Sequence, residues 1–170
     1  MAAVDASPAQ ERLPVAVLQA NADVRLVGVL VHRLIDRFGV TSPASDLGEA
    51  AAGLLRRDER LMTANPQATL AAAVRRYRTL VNRPDVRDLF DWGPAWHEVP
   101  VSAGEDGVIL RGAIDTLVVG PGSASVLEFK TGRASEAHHR QLARYVAAAT
   151  RFLPGISVKG VLVYVKDEED

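Results

Sequence analysis

Three charged residues stand in stretches that otherwise look built for the interior of a protein. Asp115 lies in GAIDTLVVG (112–120), and Glu128 and Lys130 lie two apart in SVLEFKTG (125–132). Two buried carboxylates repel each other and lose hydration, and a hard divalent cation between them relieves both penalties. A neighbouring lysine can hold or activate the attacking water. The pattern predicts a metal-dependent hydrolytic site, and a structural ion pair between Lys130 and one of the acids is the alternative.

Lysine is rare in this chain. Only Lys130, Lys159 and Lys166 are lysines, and the other 17 of the 20 basic Lys and Arg residues are arginines. Codon bias would explain the arginines, but it does not explain why one of three lysines lies in an apolar strand beside an acid. The position of Lys130 therefore favours a chemical role for its amine.

The apolar pattern changes from helical to strand spacing along the chain, and this change predicts the elements that must position these residues. Helices are expected at Asp23–Phe38, 45–60, 66–82 and 135–153, and strands at 96–102, 108–119, 124–130 and 157–165. Tight turns are expected at Gly104–Gly107 and Gly120–Ser123. Residues 1–14 are rich in Ala, Pro and Ser and are interpreted as a linker or severed end, which leaves 15–170 as a single domain.

The predicted strands place the charges on defined faces. Alternate strand residues share a face, so Glu128 and Lys130 project together while Leu127 and Phe129 point the other way. Asp115 lies one hairpin away. The layout of helices, strand meander, crossover helix and returning strand predicts an α/β or α+β core.

Composition excludes several classes of protein. The chain has no cysteine, which excludes disulfides, thiolate zinc sites and iron–sulfur clusters, and its net charge of −1 excludes a globally basic nucleic-acid binder. No apolar run reaches the length of a membrane span, and a cytoplasmic location is expected. The phosphate-binding pattern G-x-x-x-x-G-K-[ST] is absent, so no ATP-driven motor is expected in this sequence.

The motifs together resemble a known family. GAID followed by LEFKTGR, with QLARY in the helix downstream, is similar to the RecB-like branch of the PD-(D/E)xK nuclease superfamily, especially the carboxy-terminal nuclease domain of AddA-type helicase–nucleases. The resemblance implies a restriction-endonuclease-like core with a central mixed sheet flanked by helices. It also implies a Mg²⁺- or Mn²⁺-dependent DNA exonuclease with one or two ions. DNA ends or single strands would be its substrate, and a helicase domain or subunit its partner in double-strand-break repair. The alternative is an inert DNA-binding or scaffold domain of a repair complex.

The resemblance also implies roles for individual residues. It assigns catalysis to Asp115, Glu128 and Lys130. It assigns metal ligation to Asp115, Glu128, the backbone carbonyl of Phe129 and His32. His32 comes from the Gly-x-x-x-His match GVLVH, in which Gly28 lies one turn earlier. Two further residues, Gln141 and Tyr145, match the Gln-x-x-x-Tyr motif and are expected to bind DNA or support the site.

Other polar residues near these motifs have weaker assignments. Glu98 in WHEVPVS matches an acid that many relatives carry, and a catalytic and a structural role are left open for it. His97, His138 and His139 match no strong family position and are interpreted as surface histidines. Glu128 also stands where many RecB-like members have Asp, a change that the superfamily tolerates.

Overall fold

Four helices, a short helical turn and a strand meander precede the last helix and strand. The computed structural model describes residues 15–40, 46–105 and 108–165, with the side chains of 15–22, 103, 105 and 108–110 excepted. Its elements are α1 (Val15–Phe38), α2 (Leu47–Leu54), α3 (Arg57–Met62), α4 (Pro66–Asn82), α5 (Pro84–Arg87), β1 (Ala95–Glu105), β2 (Val108–Gly120), β3 (Ser123–Lys130), α6 (Glu136–Phe152) and β4 (Ser157–Tyr164). The expected linker 1–14 lies outside the described residues, as does part of the expected turn Gly104–Gly107.

The four strands form one mixed sheet in the order β1-β2-β3-β4. β1, β2 and β3 are antiparallel neighbours, and β3 pairs with β4 in parallel after the chain crosses through α6. The β2–β3 turn is closed by the pair Gly120↔Ser123, with Gly122 at φ +78°, a conformation that glycine adopts without steric cost. The sheet is therefore mixed and flanked by helices, which confirms the α+β fold class expected from the sequence.

Two apolar clusters occupy opposite faces of the sheet. On one face α1, α2 and α4 pack against Val118, Leu127, Phe129 and Val163. On the other face α6 packs against a set of small and medium apolar residues: Val101, Ile114, Leu117, Ala124 and Val126. We call these the α1 side and the α6 side. The sheet is thus the middle layer, and a residue at its edge can reach both sides.

The helices follow from the apolar spacing and from their capping residues. Residues buried along α1 recur at helical spacing: Val27, Leu30, Val31, Leu34 and Ile35. Asn65 caps α4 by accepting a hydrogen bond from the Ala68 N–H at 3.0 Å, and Pro66 occupies the first turn, where its missing N–H costs nothing.

Two details of the helical prediction are wrong. The expected helix 45–60 is two helices, because Leu55 is extended and the chain bends there to bury its side chain. The expected apolar stripe of α1 includes Val24, but its side chain is 54% exposed, because it borders an open cavity beside the helix. The short helix α5 was not predicted.

At one point along the paired strands β1 and β2, the regular alternation of side chains between the two faces of the sheet is interrupted. The pair His97↔Thr116 is followed directly by Val99↔Ile114, and no pairing joins Glu98 to Asp115 between them. Ala95 packs on the α1 side and Val99 on the α6 side, although uninterrupted alternation would place both on the same face. Ile114 and Leu117 likewise both pack on the α6 side. We call this irregular step, formed by Glu98 and Asp115, the sheet break.

Candidate active site

At the end of the β2–β3 ladder, hydrogen bonds to the side chains of Asp115 and Glu128 take the place of backbone pairing. The β2–β3 ladder stops at Thr116↔Leu127, and beyond it the backbone groups bond to side chains. The Asp115 N–H donates to Glu128 Oε1 at 3.2 Å, and the Phe129 N–H donates to Asp115 Oδ2 at 2.8 Å. Each carboxylate therefore satisfies a backbone donor of the opposite strand, which fixes both side chains at the point where the strands separate.

Helix α1 brings His32 to the same point. His32 Nδ1 lies 3.2 Å from Asp115 Oδ1, so the two side chains form a hydrogen bond across the gap between helix and sheet. Gly28, one turn earlier, lets α1 approach closely, because a Cβ there would lie 2.7 Å from Thr131 Oγ1 just after β3. The Gly-x-x-x-His spacing thus has a structural basis: the glycine sets how near the helix comes, and the histidine uses that proximity.

Glu98 completes a group of potential ligands. Among the described residues, His32, Glu98 and Asp115 each offer a ligand atom, and these atoms all lie within 4.8 Å of one another. Glu98 has φ +49°, a left-handed conformation that is strained for a residue with a side chain. The sheet break therefore places the carboxylates of two neighbouring strands and one imidazole around a common space.

The pKa values in this group reflect burial first and then crowding of charge. Burial alone lowers the pKa of His32, but the hydrogen bond and the charge of Asp115 outweigh it, so the His32 pKa is raised overall. Burial and then the negative charge of Asp115 raise the pKa of the Glu98 carboxyl. The same two causes raise the pKa of the Glu128 carboxyl, against the opposing effect of Lys130. Such a group of acids has a high affinity for positive charge.

A hydrogen-bonded chain runs from Glu128 to α6. Lys130 Nζ donates to Glu128 Oε2 at 2.9 Å and to Gln141 Oε1 at 3.1 Å, and Gln141 Nε2 donates to the Tyr145 hydroxyl at 3.3 Å. Glu128 is fully buried, whereas 15% of the Lys130 side chain is exposed. The ion pair that the sequence left as an alternative is therefore present, but its lysine lies at the wall of a cavity.

That cavity has a volume of ≈ 850 Å³ and opens between α1 and the end of β3. Near the site it is lined by His32, Glu98, Phe129, Lys130 and His138. Its other wall is formed by residues of α1 and of the α2–α3 junction: Val24, Arg25, Val29 and Arg56. His32, Glu98 and Lys130 thus border the same open space, which is large enough for a small ligand.

The structure brings most of the sequence-predicted residues together. His32, Asp115, Glu128 and Lys130 meet through the contacts given above, and Gln141 and Tyr145 continue from Lys130. Phe129 lines the cavity and binds Asp115 through its N–H. The role of its carbonyl as a ligand stays a prediction. Glu128 lies beside the ligand group, with its two oxygens bound to Lys130 and to the Asp115 N–H, and its role as a metal ligand also stays a prediction.

The histidines interpreted as surface residues differ among themselves. His139 is exposed, but His97 and His138 are half-buried. His97 Nδ1 lies in a hydrogen bond with Thr116 Oγ1 at 2.8 Å, and His138 Nδ1 lies in one with the Tyr164 hydroxyl at 3.1 Å. The surface interpretation therefore holds for His139 only, because the other two are held by hydroxyl partners.

Sequence reasoning gave Glu98 no firm role, although a signal was available. If the β1–β2 hairpin turns at residues 106–107, counting back from the pair Glu105↔Val108 places Glu98 opposite Asp115. An acid opposite a predicted ligand in hairpin register could have been added to the site on that count alone.

Comparisons with known proteins give a family match and a similar solved structure. The family model of the PD-(D/E)XK nuclease superfamily matches residues 9–169. No curated protein matches the sequence. Among solved structures, protein VC1899 from Vibrio cholerae is similar at 13% identity with a TM-score of 0.38. That match covers 86% of this chain and 48% of the other, so the chain spans about half the length of that protein.

Proposed function

Since the chain belongs to the PD-(D/E)XK nuclease superfamily, we propose that it is a metal-dependent deoxyribonuclease that hydrolyses phosphodiester bonds at DNA ends or in single strands. One observation carries the proposal: His32 and Glu98 of the ligand group line the same cavity as Lys130, and Asp115 contacts His32 at 3.2 Å. Membership of the superfamily alone implies a nuclease. The DNA substrate, the exonuclease mode and the residue roles are part of the proposal.

The donors present fit a divalent cation. Two carboxylates and one imidazole within 4.8 Å of one another form a set that accepts Mg²⁺ through oxygen and suits Mn²⁺ better because of the nitrogen. We assign His32, Glu98 and Asp115 as the residues that would hold the ion, with Glu128 beside them. When bound, the ion would supply Lewis-acid charge at the scissile phosphate.

The protein's own residues supply positioning and a second positive charge. Glu128 and Gln141 hold Lys130 Nζ at the cavity wall, which keeps the flexible amine in one place. An ammonium so placed stabilises negative charge that develops on a phosphate, and it can orient the attacking water. The Phe129 N–H holds Asp115 Oδ2 in place, and Asp115 Oδ1 and His32 would exchange their mutual contact for the ion.

The test is a nuclease assay with 5′- and 3′-labelled single-stranded and duplex DNA, in Mg²⁺, in Mn²⁺ and in EDTA. We expect metal-dependent products with a 5′-phosphate, and a decrease of about 100-fold or more for Asp115→Asn. Arg151→Ala, an exposed change at the far end of α6, is the matched control and should keep full activity. Equal activity of Asp115→Asn and wild type would refute the assignment.

A test of Lys130 needs a different variant from the single change to alanine that the sequence suggests. From sequence alone, Lys130→Ala is expected to remove activity and leave the fold intact. In the structure the ammonium compensates a fully buried carboxylate, and its loss costs about 3–5 kcal/mol. Glu128→Gln/Lys130→Met removes both charges together, so we expect this double variant to fold and to be inactive.

The alternative function, an inert DNA-binding domain, is favoured by one observation: the Lys130 amine is already paired with Glu128. Calorimetric titration with Mn²⁺ separates the two functions. The nuclease binds the ion, and Asp115→Asn weakens binding; a scaffold domain binds none.

We further propose that a helicase domain or subunit delivers the strand during repair, and co-purification with a helicase tests this.

A further inference from the structure

A second, smaller pocket lies on the α6 side of the sheet. It has a volume of ≈ 280 Å³ and is lined by Arg111, Ala137, Gln141, Arg144 and Tyr145. Arg111 belongs to β2 and the other four to α6. We call it the arginine pocket.

Its two arginines have no acidic partner. In the part of the chain that the structure describes, neither Arg111 nor Arg144 forms an ion pair, whereas Arg140 on the same helix pairs with Glu136 at 3.3 Å. Both side chains are exposed, and both border the same small space. Two guanidinium groups at one pocket repel each other, and an anion between them relieves that repulsion and can accept hydrogen bonds from both.

The hydrogen bonds of the neighbouring side chains leave a further donor at this pocket. An ammonium only donates, so Gln141 must turn Oε1 toward Lys130, and its NH₂ group then donates to the Tyr145 oxygen. The Tyr145 hydroxyl therefore keeps its own proton to donate. No acceptor for that proton occurs among the described residues, although Tyr145 is 93% buried, with a relative exposure of 7%.

The phenol is held in place by the backbone of β2. A Cβ at Gly112 would lie 2.5 Å from the Tyr145 oxygen, so the hydroxyl rests directly against this glycine, next to Arg111. The Gly of the GAID motif thus seats the tyrosine whose hydroxyl reaches the arginine pocket.

The arginine pocket and the large cavity share a wall. Ala137 lines the first and His138 the second, so the first turn of α6 separates them. Lys130 lines the cavity and bonds Gln141, which lines the arginine pocket. A strand that has its scissile phosphate in the cavity and crosses this turn would bring a neighbouring phosphate toward the two arginines.

We propose that the arginine pocket binds a phosphate of the nucleic-acid strand next to the one that is cleaved, with Arg111, Arg144 and the Tyr145 hydroxyl as donors. The inference rests on the proposed function for the identity of the strand, and it assigns to this pocket the task of fixing the strand's register at the site.

The first test is equilibrium binding of a 3′-fluorescein-labelled single-stranded DNA with a 5′-hydroxyl, in EDTA, which prevents turnover. Arg111→Ala/Arg144→Ala should weaken binding at least tenfold and reduce the slope of log Kd against log salt concentration by about 0.7. Tyr145→Phe removes a neutral donor, so it should weaken binding several-fold without changing the slope. The matched control Arg75→Ala/Arg78→Ala removes the same charge from exposed residues of α4 and should keep the wild-type slope.

The second test locates the phosphate. Oligonucleotides with one uncharged methylphosphonate linkage at successive positions should show one internal position at which wild type loses affinity and Arg111→Ala/Arg144→Ala does not. Identical profiles for the two proteins would overturn the proposal. An effect of the arginines that requires a 5′-phosphate on the DNA would place the strand's end in the pocket and overturn the internal placement.

These outcomes are separable from those of the nuclease assay. If wild type cleaves no DNA in any divalent metal, the proposed nuclease function fails. The slopes of log Kd against log salt concentration still test whether the arginine pocket binds a phosphate. If cleavage occurs but the double arginine variant binds with the wild-type slope and affinity, the pocket proposal fails and the nuclease stands. Absence of any DNA binding by wild type overturns the pocket proposal.

Discussion

At the scale of single residues, Glu98 adopts a conformation that favours glycine. Its φ of +49° costs a residue with a side chain about 1–3 kcal/mol, and it lies opposite Asp115 where the β1–β2 pairing is interrupted. The strain comes with a position in which the Glu98 carboxylate joins His32 and Asp115. We interpret the strain as the cost of bringing a second acid into the ligand group.

Glu98→Gly tests this interpretation. Glycine adopts φ +49° without strain, so we expect the free energy of unfolding in EDTA to increase by about 1 kcal/mol. The same change removes a carboxylate, so the rise in Tm on adding Mn²⁺ should shrink. Denaturant titration and thermal unfolding measure the two effects.

Glu98→Gln is the control, because it removes the negative charge and keeps the strained side chain. Since burial and Asp115 raise the pKa of Glu98, the loss of charge should relieve some repulsion in both variants. The difference in free energy of unfolding between Glu98→Gly and Glu98→Gln measures the strain. If Glu98→Gly is no more stable than Glu98→Gln, the interpretation of φ as strained is contradicted.

At the same scale, the sequence identifies those candidate site residues whose type or spacing is unusual for their surroundings. Asp115, Glu128 and Lys130 could be singled out because charges are rare in apolar strands, and His32 because of its spacing from Gly28. Residue type alone does not single out Glu98, since acids on half-exposed strands are common, and its place in the site follows only from the hairpin register. The Glu128–Lys130 contact and its burial were foreseen as possibilities, but the hydrogen bond from Lys130 to Gln141 depends on how α6 packs against the sheet, which the sequence does not give.

At the scale of elements, the position of α1 determines the site. The helix supplies His32, and two contacts fix where it lies. Gly28 touches Thr131 after β3, and Arg33 forms a bidentate ion pair with Glu59 of α3, with both N–O distances 2.7 Å. Arg33 also donates to the Leu54 carbonyl at the end of α2. One helix is thereby positioned against the sheet and against the two helices that follow it.

Gly28→Ala should displace α1 from the end of β3. The added methyl group would lie 2.7 Å from Thr131 Oγ1, and overpacking of this kind costs about 1–3 kcal/mol. We expect nuclease activity to fall about tenfold or more, because His32 moves with the helix, and the metal-induced rise in Tm should shrink in parallel.

Thr131→Ala provides the compensating change, since it removes Oγ1, the nearest atom. The double variant Gly28→Ala/Thr131→Ala should recover most of the activity and stability, and Thr131→Ala alone should change little. If the double variant stays as impaired as Gly28→Ala, the glycine has a role other than making room for the helix.

The elements differ in how far the sequence predicts them. The hydrophobic spacing locates α1, α4, α6 and all four strands to within a few residues, apart from the longer start of α1. It does not separate α2 from α3, because Leu55 fits an apolar helical stripe as well as the buried bend it forms. The sheet break is also hidden, since the two adjacent polar residues between Ile114 and Leu117 do not by themselves show that the faces exchange.

At the scale of the whole molecule, the sheet separates two apolar clusters and the site lies where residues from both sides meet. Asp115 bonds His32 on the α1 side, and Glu128 bonds Lys130, which continues to α6. The mixed sheet and its helical layers follow from the order of elements in the sequence. The meeting of the two sides depends on the sheet break, which only the structure reveals. None of the helices in the described part of the chain is long and apolar enough to cross a membrane.

The acid stability of the fold should depend on Glu59. The hydrogen bond from Arg33 lowers the pKa of Glu59 to about 2, below the value of about 4.3 expected in the unfolded chain. Because the folded pKa is the lower one, this stabilisation is complete above the unfolded pKa and is lost as the pH falls toward 2. Both side chains are 20% exposed, so solvent screening limits the contribution to about 1 kcal/mol.

Glu59→Gln should therefore be about 1 kcal/mol less stable than wild type at pH 7, and the difference should vanish by about pH 2. Urea denaturation across this pH range measures it. Asp58→Asn, a change at the neighbouring position of α3, is the control and should run parallel to wild type. A constant difference between Glu59→Gln and wild type at every pH would show that the ion pair is not its origin.

The exchange of faces at Glu98 and Asp115 also restricts how this hairpin can vary in length. Deleting one residue from only one strand at that step would restore regular alternation in that strand but shift its pairing with the other strand by one residue, so paired residues beyond the step would face opposite sides of the sheet. Homologous hairpins that keep the step should therefore differ in length beyond it, on the side of the turn, and keep a constant number of residues between the step and Gly120.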